Sequence, residues 1–299
     1  AVTIDEFVVT EAGVGVQALG GALTLANLTV ENASVGIATV SGASSTVSDF
    51  SGHGMPLVVD AADADDFFLT SGTLHGERFM VGQGTSHVHV SDVDFFSTST
   101  AEIRPSVDVR CEGQCTLEQS TINSPVIGVS WSGSGTSVMS NVSVYALEQA
   151  VEASGSGHME WNNLTVNASI TGLSVQTPTS TLTDVEVEMT SNSATGIDLL
   201  GGQHDWSTIT VEKPFTSTDQ TSIGLKAWYS DLTLEHFISR NASTGMLLDD
   251  STVTTRTVEA NIGSLVGIHL IDSSFSGTDL TTVAQDKGVL MEGLSLIHI

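Results

Sequence analysis

Four acidic residues in one short stretch are the first side chains of this 299-residue chain that could do chemistry. They are Asp60, Asp63, Asp65 and Asp66. Calcium prefers oxygen ligands in proteins, so one interpretation of this stretch is a calcium site. The other is a solvated acidic turn, because the glycine-aspartate nonapeptide of calcium-binding repeats is absent from the sequence. No other cofactor is indicated.

The element that must position such side chains is a repeated phrase of a small residue, an inward aliphatic residue, a free position and a second apolar residue. Clear copies begin at Gly36, Gly128, Gly172, Gly196, Gly224, Gly245, Gly267 and Gly288, and weaker copies at Gly15, Pro56, Arg78, Ser106 and Ala150. Successive copies are 20 to 28 residues apart. Such self-similarity predicts a solenoid, in which each repeat buries its apolar side by stacking on its neighbours.

The phrase also predicts which side chains face inward. We expect a buried column made of Ile37, Val129, Leu173, Ile197, Leu225 and Ile268. The residue after each of these should point outward: Ala38, Ser130, Ser174, Asp198, Lys226 and His269.

Each repeat is built from strands. A second phrase upstream alternates apolar and polar residues, as in Leu164-Thr165-Val166, which is typical of a half-buried strand. Just before it stands an Asn or Asp, the residue types that most readily adopt a left-handed backbone. The predicted corners are Asn27, Asp49, Asp92, Asn141, Asn163, Asp184 and Asp279.

This pattern resembles the right-handed parallel β-helix of the pectate-lyase-like superfamily. The predicted fold class is therefore all-β, a right-handed parallel β-helix (solenoid) of about 13 rungs of about 22 residues. With rungs about 4.8 Å apart, we expect a monomeric rod roughly 60 Å long within a larger chain. The predicted domain is a single β-helix over residues 1–293. Residues 294–299 resemble the tails of metagenomic fragments, so we expect a non-native tail there.

Two activities of the superfamily have partial matches here. Ser51-Gly52-His53-Gly54 resembles the Gly-His-Gly of polygalacturonase-type hydrolases. In those enzymes an Asp-Asp precedes this motif and an Arg-x-Lys follows it, whereas here Asp65-Asp66 comes after His53 and no Arg-x-Lys occurs. A polar histidine at a tight turn is the alternative. The catalytic residues are therefore unknown.

Calcium-dependent lyases of this fold use clustered acids and an Arg or Lys base. Arg78, Arg104 and Arg110 fall around one repeat, although the chain has only 8 Lys and Arg residues. The alternative is that these arginines pair with local acids such as Glu102 and Glu112, because exposed ion pairs are common.

The outward position of the glycine phrase predicts a ligand-binding face. Over six repeats it reads Asp108, Ser130, Glu152, Ser174, Asp198 and Lys226, with Arg110 and Trp228 on the same outward side. Val58, Met80 and Leu247 occupy it in the flanking repeats. The two 28-residue repeats insert residues around 95–105 and 212–222, where they would wall this face. Sugar chains bind such grooves by aromatic stacking and hydrogen bonds; the alternative is the ordinary polar side of a sheet.

Two acids on this face have the residue types of a glycosidase pair. Glu152 and Asp198 lie two rungs, or about 9.5 Å, apart, which is the upper limit for an inverting pair and too wide for a retaining pair. A cross-rung ion pair between Asp198 and Lys226 explains that aspartate better.

The composition of the chain limits which binding partners and which environments are compatible with it. The formal net charge is -27, yet 40% of residues are hydrophobic, so the chain can bury a core and must carry its acids on the surface. A chain without a basic patch is not expected to bind nucleic acid or anionic membranes. No apolar run reaches the length that spans a bilayer, so we expect no membrane insertion.

Cysteines and glycosylation sequons point to export. Cys111 and Cys115 are predicted to close a small disulfide loop, with unlinked buried thiols as the alternative. Three sequons, at Asn27, Asn141 and Asn163, coincide with predicted corners. The sequons at Asn32, Asn167 and Asn241 precede the glycine phrase in looser loops and are the predicted glycosylation sites.

We therefore expect an extracellular or cell-surface β-helix that presents an extended face to glycans or surface proteins, as an adhesin does. The first alternative is a polysaccharide lyase or glycoside hydrolase acting on an acidic polysaccharide. The second is a structural stalk without a ligand.

Overall fold

The structure is a computed structural model that describes residues 1–40, 42–61, 64–98, 104–214, 221–261, 265–293 and 295–298. The chain divides into two compact units, Ala1–Ala146 and Leu147–Ile299. Every regular element in the described residues is a strand, which confirms the all-β prediction. The strands pair in parallel as a β-solenoid, with about 12 turns at a spacing of about 22 residues. Within the described ranges, no helix is long and apolar enough to cross a membrane.

The first unit contains ten of these strands. They are β1 (Val2–Thr10), β2 (Val14–Ala18), β3 (Gly21–Glu31), β4 (Val35–Thr39), β5 (Ala43–Ala61), β6 (Asp66–Ser97), β7 (Pro105–Glu118), β8 (Thr121–Ser124), β9 (Ile127–Gly133) and β10 (Thr136–Ala146).

The second unit contains the remaining strands. They are β11 (Gln149–Ser154), β12 (His158–Ala168), β13 (Thr171–Gln176), β14 (Thr179–Met189), β15 (Thr195–Leu200), β16 (Gln203–Trp206), β17 (Ile209–Glu212), β18 (Ile223–Trp228), β19 (Asp231–Arg240), β20 (Thr244–Asp249), β21 (Thr252–Asn261), β22 (Val266–Ile271), β23 (Ser274–Thr282), β24 (Lys287–Glu292) and β25 (Leu296–His298). β25 pairs with β23 in parallel, so residues 296–298 continue the strand pattern of this unit.

The inward aliphatic residues stack in register within each unit. In the second unit Leu173 pairs with Ile197 and Ile197 with Leu225. The six residues predicted to be buried, Ile37, Val129, Leu173, Ile197, Leu225 and Ile268, all have 0% exposure, which confirms that prediction. The strands form because alternate positions can bury aliphatic side chains while the intervening positions remain polar.

Two of the six predicted outward residues are buried instead. Ala38 is 8% exposed and Ser174 is 7% exposed, whereas Ser130, Asp198, Lys226 and His269 are partly exposed. Ser174 pairs with Glu152 on one side and Asp198 on the other. The side chain of Ser174 is shorter than those of Glu152 and Asp198 on either side. It is therefore buried between them although it points outward.

The position of Val58 was also predicted wrongly. Val58 is fully buried, and Asp60 pairs with Ala38 in the outward row. A register shift between Leu57 and Val59 moves every following side chain of β5 by one position. Met80 does lie in that row, paired with Asp60 and Asp108.

The predicted left-handed corners are correct at six of seven positions. Asn27, Asp49, Asp92, Asn141, Asn163 and Asp184 have φ between 50° and 54°. Asp279 lies inside β23 and does not have a positive φ. A second series was missed: Tyr229, Asp250 and Asp272 turn the chain after the glycine-phrase strands, with φ between 46° and 52°.

A row of buried serines follows that second series. The backbone N–H of Ser230 donates to Oγ of Ser251 at 3.1 Å, and the N–H of Ser251 donates to Oγ of Ser273 at 3.0 Å. The hydroxyls of Ser230, Ser251 and Ser273 in turn donate to carbonyls two residues upstream in their own turns. Ser251 and Ser273 therefore each satisfy a corner amide of the preceding turn that would otherwise be buried without a partner.

The glycines of the repeated phrase are needed because neighbouring turns approach closely. A Cβ on Gly196 would stand 2.6 Å from the carbonyl oxygen of Gly224 and would also collide with Val211. The same clash with the next glycine's carbonyl, at 2.5 to 2.6 Å, recurs for Gly172, Gly224, Gly245 and Gly267. A residue without a side chain is therefore needed at these five positions.

We predict that Gly196→Ala destabilises the second unit by about 1–3 kcal/mol, because the added methyl group forces two packed turns apart. The measurement is the midpoint of urea unfolding, which should fall. Gly13→Ala is the matched control, because a Cβ there meets no atom within 4 Å. Equal midpoints for the two variants would contradict the close-contact explanation.

Candidate functional site

In the first unit, the predicted ligand-binding face carries ion pairs that neutralise the charge of its aspartate. Asp108 is 7% exposed and lies between two arginines. Nη2 of Arg78 is 3.5 Å from its Oδ2, and Nε of Arg110 is 3.7 Å from its Oδ1. Ser130 pairs with Asp108 on the next strand, β9. The arginines therefore do pair with a local acid, but that acid is Asp108, which the sequence analysis did not name as their partner.

The second-unit part of the face is a register row of Glu152, Ser174, Asp198 and Lys226. Nζ of Lys226 lies 3.7 Å from Oδ1 of Asp198, so the cross-rung ion pair is present. The same ammonium group stands 4.5 Å from the centre of the Trp228 ring. A cation in that position is attracted by the ring face.

This arrangement limits what Trp228 can do. A sugar that stacks on the ring face covered by Lys226 must first move that side chain away from both the indole and the Asp198 carboxylate. The ligand-binding role of this face stays a prediction. Half of the two predicted wall segments, namely residues 99–103 and 215–220, lies outside the described residues.

A second groove of the second unit lies on other strands. It has a volume of about 670 Å³ and crosses β12, β14, β16, β19 and β21. Its lining includes Thr179, Thr181, Gln203, Asp205, Asp231 and Thr252. We call this surface the threonine groove. It presents hydroxyl, amide and carboxylate groups from successive turns along one line.

Register places these polar groups at equivalent positions. Thr179 pairs with Gln203, and Gln203 pairs with Asp231. Asp231 in turn pairs with Thr252. This row was not predicted, because only the outward position of the glycine phrase was followed from repeat to repeat. The signal was available: the outward residues of the upstream strand recur at the same spacing.

An outward row of rings in the first unit was missed for the same reason. His53 pairs with His75, Phe96 with Asn123, and Asn123 with Tyr145. The rings of His75 and Phe96 stack with centroids 4.8 Å apart and planes 11° apart. The His53 ring meets His75 edge-on at 5.6 Å. We call these five residues the ring column.

His53 is therefore explained by packing. It lies in β5 beside His75, and Gly54 after it has a φ of 70°, as a tight bend requires. The sequence lacks the Arg-x-Lys of a polygalacturonase-type site, and its Asp-Asp comes after His53 instead of before it.

The acidic stretch does not gather ligands for a metal in the parts of the chain that are described. Oδ1 of Asp66 is 2.8 Å from Nδ1 of His87, and its other oxygen accepts a hydrogen bond from Ser44. Asp60 belongs to the outward row of β5, and Asp63 lies outside the described residues. In the described segments, no group of three or more His, Cys, Asp and Glu side chains could hold a metal ion.

The two cysteines are joined. Cys111 and Cys115 form a disulfide with a Cα–Cα distance of 6.0 Å, within strand β7. Both residues are buried. The bond therefore closes a short bulged loop of β7 against the core.

The three predicted glycosylation sites have different surroundings. Asn32 is exposed at a left-handed bend. Asn167 lies inside β12, where its Nδ2 donates to Oε2 of Glu188 at 2.9 Å, so the expectation of a loose loop was wrong there. Nδ2 of Asn241 donates to the Lys213 carbonyl at 2.8 Å. A glycan could replace the amide hydrogen of Asn32 with the least loss of contacts.

No protein-family model, curated protein or solved structure matches the chain. Membership of the pectate-lyase-like superfamily is therefore not established, and the fold assignment rests on the strand register.

One buried polar network lies beneath the threonine groove. Oγ of Ser180 lies 2.7 Å from Nδ1 of His204 and accepts a hydrogen bond from Nε1 of Trp206 at 2.8 Å. Nε2 of His204 lies 2.6 Å from the carbonyl oxygen of Gly201. Because a carbonyl only accepts, Nε2 must carry a proton, and in the neutral imidazole Nδ1 then accepts from the Ser180 hydroxyl. All three side chains are buried, so the network stabilises the neutral imidazole.

Burial lowers the pKa of His204, and the hydrogen bond to the Gly201 carbonyl offsets part of that effect. The unfolded histidine titrates near its usual value of about 6.5, above the folded one. The unfolded chain therefore binds this proton more readily, and the stability from neutral His204 is lost as the pH falls below about 6.5 and through the folded pKa.

We predict that the urea midpoint of the native chain falls between about pH 7 and about pH 5, and that His204→Gln reduces this fall. His53→Gln serves as the control, because His53 is exposed. The same pH dependence in the native chain and in His204→Gln would show that the buried network does not set it.

Proposed function

We propose that the chain is an exported or cell-surface β-solenoid that binds an extended glycan in the threonine groove. The observation that carries this proposal is the groove itself: one line of hydrogen-bonding side chains contributed by five successive strands of the second unit. With turns about 4.8 Å apart, five strands span roughly 19 Å, which suits a chain ligand better than a small molecule.

The lining chemistry favours a sugar polymer. Threonine hydroxyls both donate and accept hydrogen bonds, the amide of Gln203 does the same, and ionised Asp205 and Asp231 accept from sugar hydroxyls. The groove lining contains no Lys or Arg. A neutral glycan therefore fits this surface, whereas a polyuronate would be repelled by the two carboxylates.

The proposal also includes the cellular location of the protein and its evolutionary origin. The Cys111–Cys115 disulfide supports an oxidising compartment, as expected for an extracellular or cell-surface protein. A parallel solenoid with turns of about 22 residues supports descent from the pectate-lyase-like superfamily. Glycan binding on a long sheet surface suits an adhesin.

The test is a glycan array probed with the full chain, followed by calorimetric titration of the strongest hits. We predict binding of neutral oligosaccharides, weakened about tenfold or more by Asp205→Ala or Asp231→Ala, because each change removes a charged hydrogen-bond acceptor. Glu186→Ala is the matched control, since Glu186 is exposed on β14 outside the groove.

Other outcomes would redirect the proposal. Binding that survives both groove variants but is lost in Lys226→Ala and Trp228→Ala would place the glycan on the glycine-phrase strands. Release of shortened or unsaturated products during the titration would favour the lyase or hydrolase alternative. If no glycan on the array binds, the remaining interpretation is a structural stalk without a ligand.

A further inference from the structure

We infer that the first unit holds a separate site for a single neutral sugar ring, between the side chains of Phe96 and Tyr145 and above Asn123. The site belongs to the ring column. It lies on strands of the other unit from the threonine groove, so the two proposals stand or fall independently.

The geometry is that of a row of rings with one ring missing. His75 covers one face of Phe96 at 4.8 Å, which equals the spacing between turns. On the following turn the equivalent residue is Asn123, and on the turn after that it is Tyr145. Phe96 and Tyr145 are therefore two turns, or about 9.6 Å, apart, with only a short amide side chain between them.

The side chains that would hold the ligand are exposed but rest on a firm base. Phe96 is 36% exposed and Tyr145 is 42% exposed. Directly before them in sequence, Phe95 and Val144 point into the core and are at most 2% exposed, as is Ile122 before Asn123. The spacing of the slot is thus fixed by the packed core below it, which reduces the entropic cost of ordering a bound ring.

The chemistry of the slot matches a pyranose. The C–H faces of a sugar ring pack against aromatic rings, and the Asn123 amide offers two donors and one acceptor to hydroxyls. A parallel outward row, two residues upstream, places Asp94, Thr121 and Ser143 side by side along one edge of the slot. That edge supplies a carboxylate and two hydroxyl groups to the sugar.

Charge selects among ring-shaped ligands. Asp94 borders the slot, and the chain as a whole has a net charge of -27. Uronates and phosphorylated nucleosides are repelled by this field, so the ligand is a neutral pyranoside. A planar nucleobase would fill the same gap but would not use the hydroxyl edge.

The experiment is saturation-transfer difference NMR of the full chain with methyl glycosides, N-acetylglucosamine, glucuronate and adenosine, followed by titration of the ligands that bind. We expect a neutral pyranoside to bind, and Phe96→Ala and Tyr145→Ala each to weaken it about tenfold. Tyr145→Phe keeps the ring and should keep binding. Phe68→Ala is the matched control, because Phe68 is an equally exposed phenylalanine of β6 outside the ring column.

The decisive variant is Asn123→Phe, which fills the gap with the missing ring. It should abolish binding while leaving the urea midpoint equal or higher, so that lost binding cannot be attributed to unfolding. Asp205→Ala and Asp231→Ala should leave binding of the single sugar unchanged. Equal binding by the native chain and Asn123→Phe, preference for adenosine, or absence of any bound pyranoside at millimolar concentration would overturn the inference.

Discussion

The close approach of glycine to the carbonyl of the next turn is the constraint on which the second unit depends. Because a Cβ at Gly196 would meet the oxygen of Gly224 at 2.6 Å, the turns from Gly172 to Gly267 can approach this closely only with glycine at this level. That contact fixes which residues pair. Leu173, Ile197 and Leu225 then fall into one buried row, and every outward row follows from the same register.

Polar groups at the corners are satisfied by neighbours one turn away rather than by water. The serine row carries a hydrogen bond from each corner amide to the hydroxyl of the next turn. The His204 network does the same in the core, where Ser180 and Trp206 belong to adjacent turns. Two features thus fix the strand register: steric exclusion of side chains at the glycine positions, and hydrogen bonds between turns at the corners.

Much of this fold could be predicted from the sequence, because the period appears in residue types that the backbone geometry selects. Glycine is needed at Gly196 and asparagine is favoured at the left-handed Asn163, and both were recognised. The corner at Tyr229 was missed because tyrosine gives no such signal. The ring column and threonine groove were missed because only the outward position of the glycine phrase was followed from turn to turn. Only the register, including the shift at Val58, shows which of them adjoin.

Register also governs how such a gene can change in length. Each turn contributes one residue to every row, so duplicating a whole turn of about 22 residues lengthens the groove, the glycine row and the serine row together. An insertion of an odd number of residues inside a strand instead reverses the faces of the residues that follow. Copy-number change by recombination between repeats is thus a route by which the reach of a binding surface could evolve while the architecture stays the same.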